Sequence, residues 1–404
     1  MKASAGKRIL MLLENSAFPG DQRVRREALT LATAGFRVTV ICPKSVVKAQ
    51  SRREIYHNIN VYRYSAPFRA DSFLGYLWEY GYAMIMTFFL SLIVFFRQGF
   101  DVIHAHNPPD TFVFIAAFYK IIGKRFVFDH HDLSPEMYYH ARFGEGGNKK
   151  VYNLLIKLEK FTFRLADHVI STNESYKKIA MKRGQVSEKN ITIVRNGPDL
   201  ERLKLVKPDT DLIQKGKTII AYVGALGFQD GLDYLLRAFQ HLIKDLKRSD
   251  FYCVVIGAGT ALPRLRELAT ELELDEYVWL TGYVSDEDLV RYLSTADICV
   301  DPDPSNPFND RSTMIKMAEY MALGKPIVAF DLPEHRVTAG DAAVYAQPND
   351  EMDFACRLRA LMDDPVRRQV MSEIGLQRVK KKLMWQHQEK HLIGVYENLF
   401  DLVN

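Results

Sequence analysis

The chain has 404 residues, of which 48% are hydrophobic and 25% are charged, and both fractions are ordinary for a soluble globular protein. A chain of this length can build two domains, each with its own hydrophobic core. No repeat or low-complexity tract is visible in the sequence, which excludes repeat architectures and disordered classes. The four cysteines are far apart and follow neither a metal-binding spacing nor a disulfide framework, which fits a reducing compartment.

The net charge of +5 is unevenly distributed. Residues 1–200 hold 29 lysines and arginines against 17 aspartates and glutamates, giving +12, whereas residues 201–404 hold 25 against 32, giving −7. The basic half predicts an anionic partner such as a membrane surface, a lipid phosphate or nucleic acid, with an ordinary solvated surface as the alternative. We expect no nucleic acid, because the basic half carries no recognisable nucleic-acid-binding motif.

Short apolar runs alternate with helical patterns through the first half. The N-terminal residues contain too few consecutive apolar positions for a signal peptide and predict a first strand instead. Helices are predicted at Gln22–Ala34 and Val151–Leu165, for example. The predicted strands are Arg8–Leu13, Val38–Cys42, Val102–His106, Arg125–Asp129, His168–Ser171 and Ile191–Val194.

The seventeen residues Tyr80–Phe96 carry no charge. An ideal helix of that length spans about 25 Å, just short of the hydrocarbon core of a bilayer. The predicted strands on either side of it look like members of one sheet, and a spanning helix would put them on opposite sides of a membrane. The sequence therefore favours a helix packed on the sheet, with peripheral contact of residues 73–97 with one leaflet, or a spanning helix, as the alternatives.

The second half repeats the alternation of strands and helices, which predicts an α/β protein with two doubly wound, Rossmann-like domains facing a cleft. Arg195–Gly216 lacks a long apolar run and is interpreted as the linker. We expect an N-terminal domain at 1–200, a C-terminal domain at 201–385, and a helix at 386–404 that returns to the N-terminal domain. The predicted strands of the second half are Thr218–Val223, Tyr252–Ile256, Val278–Thr281, Ile298–Val300, Pro326–Phe330 and Ala343–Ala346.

The segment Ser312–Asp331, STMIKMAEYMALGKPIVAFD, predicts a short helix, a glycine turn and a buried strand. Lys316 and Glu319 are three residues apart, so they share one face of that helix. A surface ion pair is the simple interpretation of these two residues. A polar ligand site at the edge of a sheet is the alternative, since ligands of such proteins bind at the carboxyl ends of the strands.

Three further loops follow predicted strands in the first half. Asn15–Gln22, which contains Gly20, leads into a basic helix and could meet an anion through its main-chain N–H groups. Clustered histidines and aspartates at His104–Asp110 and Asp129–Asp132 could bind a metal, but no fixed ligand spacing is matched. A polar wall that binds sugar or phosphate is favoured over a metal site.

Glycines and aspartates follow three strands of the second half. Gly257–Gly259 resembles the start of a dinucleotide fingerprint, although Leu262 stands where a third glycine or alanine is needed. Gly224–Gly231 contains three glycines, which allow the main chain to approach a ligand closely. Asp301–Asp303 reads Asp-Pro-Asp, a pattern that can hold a divalent ion on a nucleotide sugar, but such a short match is common by chance.

The order of these pieces resembles glycosyltransferase family 4, the retaining nucleotide-sugar glycosyltransferases with the GT-B fold. The resemblance covers nearly the whole chain. It rests on ADHVISTNES (166–175), IVRNGPD (193–199), DHHDLSPE (129–136), YVGALGFQDGLDYLLRAF (222–239), VIGAGTALPRLRELA (255–269), VWLTGYVSDEDLVRYLSTADICVDP (278–302) and STMIKMAEYMALGKPIVAFD (312–331).

The resemblance implies that the C-terminal domain holds a nucleotide-sugar donor and the N-terminal domain an acceptor. Glu319 matches the second glutamate of the family's donor site, which accepts hydrogen bonds from ribose hydroxyls. The first glutamate is absent, since Arg311 stands there in a longer loop, and Asn309 or Asp310 is expected to contact the donor sugar instead. Donor-site residues by resemblance or by position are Gly20, Gly224, Gly227, Gly257, Gly259, Asn309, Asp310, Ser312, Thr313, Lys316 and Glu319.

The family's arginine and lysine near the first glycine loop are also absent, because Ala225 or Leu226 and Asp230 occupy those positions. Lys316 is therefore the best candidate to stabilise the diphosphate as its negative charge grows. His131 resembles the family's first-domain histidine near the donor sugar, with His130 as the alternative. The expected catalytic residues are thus His131, Lys316 and Glu319, and the acceptor-side residues are Arg23, Arg26, His106, His130 and Asp132.

The predicted activity is a retaining, metal-independent hexosyl transfer by a front-face route, with no cofactor beyond the nucleotide-sugar substrate. The expected acceptor is a lipid-linked intermediate of surface polysaccharide synthesis, and the expected location is the cytoplasm, peripheral to the inner face of the plasma membrane. A sugar-nucleotide epimerase on the same fold is one alternative. A non-catalytic scaffold is the other, and the missing glutamate, arginine and lysine favour it.

Overall fold

The computed structural model describes residues 6–45, 49–65, 73–141 and 146–401. The chain forms two compact units, of which the first comprises residues 1–135, 149–195 and 386–404, and the second residues 136–148 and 196–385. The sequence placed the boundary near residue 200 and assigned 136–148 to the first domain. The structure groups 136–148 with the second unit, where His140 lines a cavity together with Phe228.

The first unit is built on an eight-stranded sheet. Its strand order is β3-β4-β2-β1-β5-β6-β7-β8, and every neighbouring pair is parallel except β3 and β4. The strands are β1 (Arg8–Leu12), β2 (Arg37–Pro43), β3 (Arg53–Tyr56), β4 (Ile59–Tyr64), β5 (Val102–His106), β6 (Arg125–His130), β7 (His168–Ser171) and β8 (Ile191–Ile193).

The helices of the first unit connect these parallel strands and cover the sheet, so its central strands are buried on both faces. β1 is almost entirely apolar, whereas β5 also carries the buried His104 and His106. A C-terminal helix also belongs to this unit, and its Tyr396 ring lies 5.5 Å from the ring of Phe36. The helices are α1 (Gln22–Thr33), α2 (Phe73–Arg97), α3 (Phe112–Ile121), α4 (Ser134–Glu136, at the unit boundary), α5 (Lys149–Leu165), α6 (Glu174–Gly184) and the C-terminal α15 (Gln386–Asp401).

The hairpin of β3 and β4 was not predicted. Its turn consists of His57 and Asn58, which both adopt positive φ angles, 44° and 64°. A two-residue turn of this kind matches the twist of the flanking strands, and asparagine tolerates the left-handed conformation. The signal in the sequence was Asn58 between two runs rich in tyrosine and isoleucine, and it was weak because the turn contains no glycine.

The second unit is built on a six-stranded parallel sheet of order β11-β10-β9-β12-β13-β14. Counted within this unit, the order is 3-2-1-4-5-6, that of a doubly wound Rossmann sheet. The prediction of two doubly wound, Rossmann-like α/β domains is confirmed. The strands are β9 (Thr218–Val223), β10 (Phe251–Ile256), β11 (Val278–Gly282), β12 (Ile298–Asp301), β13 (Ile327–Phe330) and β14 (Ala343–Ala346).

Helices cover both faces of the second sheet, and side chains of β9 alternate between two hydrophobic cores. Ile220 and Tyr222 belong to one core, while Ile219, Ala221 and Val223 belong to the other. The helices are α7 (Thr210–Gln214), α8 (Leu232–Lys244), α9 (Leu262–Glu271), α10 (Asp286–Thr295), α11 (Ile315–Ala322), α12 (Pro333–Ala339), α13 (Glu351–Met362) and α14 (Pro365–Arg378).

Helix α2 is longer than predicted and includes the uncharged stretch. Within the described residues, Trp78–Arg97 is the one helical segment long and apolar enough to cross a membrane, and 22% of its apolar window is buried. The strands before and after α2, β4 and β5, lie in the same sheet. A spanning helix would put them on opposite sides of a bilayer, so the topology argues against a membrane span.

His168, at the start of β7, makes the first unit sensitive to acid. Burial lowers the pKa of His168 to about 4, because the imidazole is removed from water. Its Nε2 lies 2.9 Å from the hydroxyl of Thr192. The unfolded chain therefore binds this proton more tightly than the folded one, with an unfolded pKa of about 6.5. Stability that is present above pH 6.5 is lost as the pH falls towards 4.

We expect His168→Asn to remove part of this acid sensitivity. The wild-type free energy of unfolding should fall by up to about 3 kcal/mol more than that of the variant between pH 7 and pH 4, at about 1.4 kcal/mol per pKa unit. Urea denaturation at both pH values measures the difference. An equal loss in the two proteins would show that His168 is not the titrating group, and His57→Asn, on the β3–β4 turn, serves as the control.

Candidate functional site

The candidate site of the second unit lies where the strand order reverses. β9 and β12 are neighbours at the centre of the sheet, and the loops after them diverge, which opens a crevice at their carboxyl ends. The glycine loop 224–231 follows β9, and Asp301 ends β12. Helix α11 carries Lys316 and Glu319 to the same edge of the sheet.

Lys316 is buried among carboxylates. Its Nζ lies 2.7 Å from Oδ1 of Asp303 and 3.1 Å from Oδ1 of Asp301, and it donates a 3.3 Å hydrogen bond to the hydroxyl of Tyr222. A fourth neighbour, Asp230, is 3.9 Å away. The ammonium of Lys316 is thus already neutralised by side chains of its own unit, which the sequence did not predict.

The titration of this cluster follows from burial and mutual charge. Burial alone would lower the pKa of Lys316, but Asp301 and Asp303 hold it well above its usual range. Burial and the charge of Asp301 raise the pKa of Asp303 well above that of an exposed carboxyl. Although burial opposes it, Lys316 lowers the pKa of Asp301. Asp301 therefore remains ionised beside the lysine, and Asp303 binds a proton more readily.

Glu319 does not pair with Lys316. Its Oε1 accepts a 3.0 Å hydrogen bond from Nη2 of Arg202, whose Nη1 donates to Asp286 at 3.1 Å. The side chain of Arg202 is 24% exposed and that of Glu319 is 8% exposed. The shared helical face predicted for Lys316 and Glu319 is real, but each residue has a partner from another part of the chain.

The turn before α11 contains Asn309 and Asp310, which were expected to contact the donor sugar in place of the missing first glutamate. Asn309 is fully buried, and its Nδ2 donates to the carbonyl oxygens of Gln229 and Pro304 at 3.0 and 2.9 Å. Oδ1 of Asp310 is buried and accepts no hydrogen bond within the described residues. Oδ1 of Asn309 likewise accepts no hydrogen bond within the described residues, while its Nδ2 holds the turn against the glycine loop. Both residues therefore have an acceptor available for a ligand.

Two other residues predicted at the donor site are held by local contacts. The hydroxyl of Ser312 donates a 2.8 Å hydrogen bond to the carbonyl of Phe308, and that of Thr313 donates to Glu334 at 3.3 Å. Both bonds fix the backbone at the entry to α11. Because α11 carries Lys316 and Glu319, Ser312 and Thr313 lie directly before the site in the chain.

The glycines of the two loops have a structural explanation. Gly257 has φ of 144°, and a Cβ there would collide with the carbonyl oxygen of Gly224. A Cβ at Gly259 would likewise meet the backbone of Leu226. The N–H of Gly227 donates a 2.8 Å hydrogen bond to Asp230. Glycine is therefore needed where the two loops approach each other. Asp230, which stands at the position of the family's lysine, accepts a hydrogen bond that closes its own turn.

A cavity of about 440 Å³ borders the glycine loop within the second unit. Phe228 and Gln229 of that loop line it together with Pro304–Asn306 of the loop after β12. The first turns of α8 and α9 and His140 complete the wall. The cavity offers aromatic, amide and guanidinium groups, a mixture suited to a polar ligand with apolar faces.

The first unit contains a second buried cluster, centred on Asp129. Arg23 forms a bidentate ion pair with it, since Nε and Nη2 both lie 2.8 Å from its carboxylate oxygens. The same guanidinium lies 3.1 Å from Glu27 and donates to the carbonyl of Val194. Although burial opposes it, Arg23 holds the pKa of Asp129 well below its usual range, and burial raises the pKa of Glu27.

Two histidines at the ends of neighbouring strands lie beside the carboxylate of Asp129. Nδ1 of His106 is 2.9 Å from Oδ2 of Asp129, and Nδ1 of His131 is 3.5 Å from the same oxygen. Burial alone would lower the pKa of His131, but the Asp129 carboxylate raises it. Asn107 accepts hydrogen bonds from the main-chain N–H groups of His131 and Asp132. The loop is thereby fixed with His131 against a charged partner.

His130 and Asp129 are consecutive on β6 and point to opposite faces of the sheet. Nε2 of His130 lies 3.2 Å from Glu159 of α5, and His130 is fully buried. This placement favours His131 over His130 for contact with a ligand. Gly20 closes a turn with Ala17 before α1, and Arg26 is half-buried on that helix.

Groups of side chains with metal-binding atoms occur twice in the described ranges. One group is Glu27, His104, His106 and Asp129, and the other is Asp301, Asp303 and His335. A basic side chain forms ion pairs with each group: Arg23 with the first and Lys316 with the second. The positive charge that balances these carboxylates is therefore built into the chain.

Several residues of these clusters were not among the predicted site residues. Asp129 is the centre of the first cluster, and Asn107 orders its loop. Arg202 was assigned to the linker, and Tyr222 to a buried strand. Asp129 and Asn107 lie in the two loops that were interpreted as a polar wall, although neither residue was singled out there. The interpretation of Arg202 as linker and of Tyr222 as part of a strand offered no such signal.

Arg23→Met is expected to destabilise the first unit strongly. The substitution keeps the length of the side chain but leaves Asp129 and Glu27 buried without their cation, which costs about 3–5 kcal/mol. Urea denaturation measures the loss. Arg26→Met on the same helix is the matched control, and we expect it to cost less than about 1 kcal/mol. Equal effects of the two substitutions would contradict the buried ion pair.

Comparison with known proteins adds independent information. Residues 21–202 match the model of the family described as Glycosyltransferase Family 4, and residues 217–364 match that described as Glycosyl transferases group 1. An uncharacterized glycosyltransferase of Methanocaldococcus jannaschii is 24% identical over 256 residues, which cover 62% of this chain and 64% of that protein. The alignments to the first curated relatives span between 40% and 64% of their lengths.

Two solved structures share the fold over nearly the whole chain. Sucrose-phosphate synthase from Thermosynechococcus elongatus superimposes with a TM-score of 0.79 at 18% identity, covering 98% of this chain and 100% of that one. Anabaena HepE in complex with UDP-glucose superimposes with a TM-score of 0.72 at 14% identity, covering 97% and 99%. At these identities the two structures establish the fold alone.

Proposed function

This chain belongs to glycosyltransferase family 4 and has the GT-B fold, and from this premise we propose that it transfers a sugar from a nucleotide-diphosphate sugar to an acceptor. The observation that carries the proposal is the carboxylate of Glu319 at the strand-end crevice of the second unit. HepE, which was solved with UDP-glucose, has the same fold and supports a nucleotide sugar as the ligand.

Glu319 is proposed to bind the ribose of the donor. A carboxylate offers two acceptor oxygens to the two donors of a vicinal diol. Asp310, whose buried oxygen accepts no hydrogen bond within the described residues, is proposed to accept one from a hydroxyl of the donor sugar. The cavity beside the glycine loop, lined by Phe228, Gln229 and Asn306, is proposed to receive that sugar.

The leaving diphosphate requires positive charge, because its negative charge grows in the transition state. Lys316 was predicted to supply this positive charge, but two carboxylates already neutralise it. It must therefore give up an ion pair with one of them in order to bind a phosphate. Arg202 is partly exposed and linked to Glu319, and we propose that it also contributes this charge. With two cations available from the chain, the transfer is proposed to proceed without a metal ion.

The first unit is proposed to bind the acceptor and to present His131 to the donor sugar. Asp129 orients His131 and favours its protonated form, which suits a group that relieves developing negative charge. The anomeric configuration is proposed to be retained by a front-face route, in which the leaving phosphate helps to deprotonate the acceptor. We propose a lipid-linked glycan as the acceptor and surface polysaccharide synthesis as the role.

The donor is proposed to be a hexose nucleotide, and the enzyme is proposed to work in the cytoplasm. The four free cysteines, three of them buried, are compatible with a reducing compartment. No cofactor beyond the substrate is required by this chemistry.

A thermal-shift screen against UDP-, GDP- and dTDP-sugars tests the proposal. Specific binding raises the unfolding midpoint by mass action, and at 100 times Kd the stabilisation is about 2.7 kcal/mol. The donor so identified should release nucleoside diphosphate when a lipid-linked acceptor is added. No shift across the panel would contradict the proposal, and turnover of the donor without acceptor would indicate a sugar-nucleotide epimerase.

A further inference from the structure

The face of the first unit that carries α2 is unusual for a protein surface. The buried side of α2 contains Thr87 and Ser91, and the hydroxyl of Ser91 lies 2.9 Å from that of Tyr119 on α3. The exposed side of the same helix is apolar as well. Its residues recur at helical spacing in one stripe: Trp78, Ile85, Phe89, Ile93 and Phe96.

The apolar stripe continues onto two neighbouring helices. Phe118 of α3 packs edge-to-face on Phe88 with ring centroids 5.3 Å apart, and Phe114 lies 6.2 Å from Phe161 of α5. Some of these side chains are highly exposed, with Phe96 at 80% and Ile121 at 85%. The exposed members on α3, on the residue directly after it and on α5 are Phe114, Phe118, Ile121, Ile122, Leu154 and Phe161.

We name this surface the α2–α3–α5 face, defined by the exposed apolar residues of the three helices given above. An aromatic side chain has roughly 150–250 Å² of surface, so the face exceeds the few hundred Å² of contiguous apolar surface found on a typical monomer. An apolar surface of this size indicates binding to another apolar surface. The charged residues around it indicate what kind of partner binds there.

Basic residues are interleaved with the apolar ones. On α5, positions 150, 154, 157, 161 and 164 form one exposed stripe that reads Lys-Leu-Lys-Phe-Arg. The three helices contain seven basic residues and two acidic residues, and one of the two, Glu159, is buried and paired with Arg183 and His130. Apolar and basic side chains on one surface complement the interface of an anionic bilayer.

We propose that the α2–α3–α5 face binds the surface of an anionic lipid bilayer, with its aromatic side chains inserted at the interface and its lysines against the headgroups. The inference extends the proposed lipid-linked acceptor by assigning the surface that meets the membrane. It does not depend on the donor, because binding to vesicles requires neither donor nor acceptor.

Sedimentation of the full-length protein with vesicles tests this inference. We expect binding to vesicles of phosphatidylcholine and phosphatidylglycerol in equal parts, and much weaker binding to phosphatidylcholine alone. Phe89→Glu combined with Phe96→Glu should weaken binding at least about tenfold, because two exposed aromatic side chains are lost from the interface. Lys157→Glu should weaken it several-fold at low salt and less at high salt.

Val366→Glu is the matched control, since Val366 is an apolar residue of the second unit that is 71% exposed. It should leave vesicle binding unchanged, and all variants should keep the wild-type unfolding midpoint. Wild-type protein that stays in the supernatant, or an unchanged double variant, would overturn the inference. So would a lipid-free dimer that Phe89→Glu with Phe96→Glu converts to a monomer, because the face would then join two copies of the chain.

Discussion

Lys316→Met is expected to lower the free energy of unfolding by about 3–5 kcal/mol, because it leaves Asp230, Asp301 and Asp303 buried around the site without their cation. Methionine nearly matches the length of the lysine, so lost packing contributes little. The loss should be smaller at low pH, where the carboxylates bind protons and no longer need a counter-charge. Urea denaturation at neutral and acidic pH measures both effects.

Two further proteins make this test specific. Lys316→Met combined with Asp303→Asn should recover part of the stability, because one of the uncompensated carboxyl groups is replaced by a neutral amide. Lys244→Met removes an exposed pair with Glu273 and should cost less than about 0.5 kcal/mol. A loss for Lys316→Met no larger than that of Lys244→Met would contradict the buried lysine cluster.

Glu319→Ala is expected to weaken nucleotide-sugar binding at least about 100-fold, because it removes the two proposed hydrogen bonds from ribose hydroxyls, each of about 1.5–3 kcal/mol. The protein itself should remain folded, since Arg202 keeps its contact with Asp286. Isothermal titration with the donor found by screening measures the change. The stability of the variant is checked separately by its unfolding midpoint.

Arg202→Met distinguishes the two partners of this pair. It removes the proposed second cation of the diphosphate but leaves the ribose ligand in place. We expect a smaller loss of donor affinity than for Glu319→Ala, about tenfold for one charge-assisted hydrogen bond. A loss for Arg202→Met that exceeds the loss for Glu319→Ala would show that Glu319 acts only by holding the arginine.

Much of the fold could be predicted because its signals are local. Each strand from β5 to β14 was placed to within a residue or two, since buried parallel strands are short apolar runs between helical patterns. The β3–β4 hairpin was missed because its turn, His57-Asn58, contains no glycine. The sequence assigned residues 136–148 to the N-terminal domain, whereas the structure groups them with the second unit. Such a grouping depends on long-range contacts, which the periodicity of the sequence does not encode.

The position of the candidate site in the fold could also be predicted, but the partners of its side chains could not. Strand ends in doubly wound sheets mark ligand sites, and this rule singled out the loops that follow β5, β6 and β9. His131, Asp310 and Glu319 were singled out by the resemblance to glycosyltransferase family 4. The partners could not be predicted, because Arg202 and Glu319 are 117 residues apart in the chain. Lys316 and Asp303 are only 13 residues apart, but their pairing could not be predicted either, because the loop between them has no periodic pattern that would place the two side chains together.

The most direct test of the central claim is a titration of the purified protein and of its Glu319→Ala variant with the nucleotide sugar that gives the largest thermal shift. We predict saturable binding of the donor to the wild type and a loss of affinity of at least about 100-fold in the variant. Equal affinity in the two folded proteins would contradict the assignment of the donor site to the crevice at the carboxyl ends of β9 and β12.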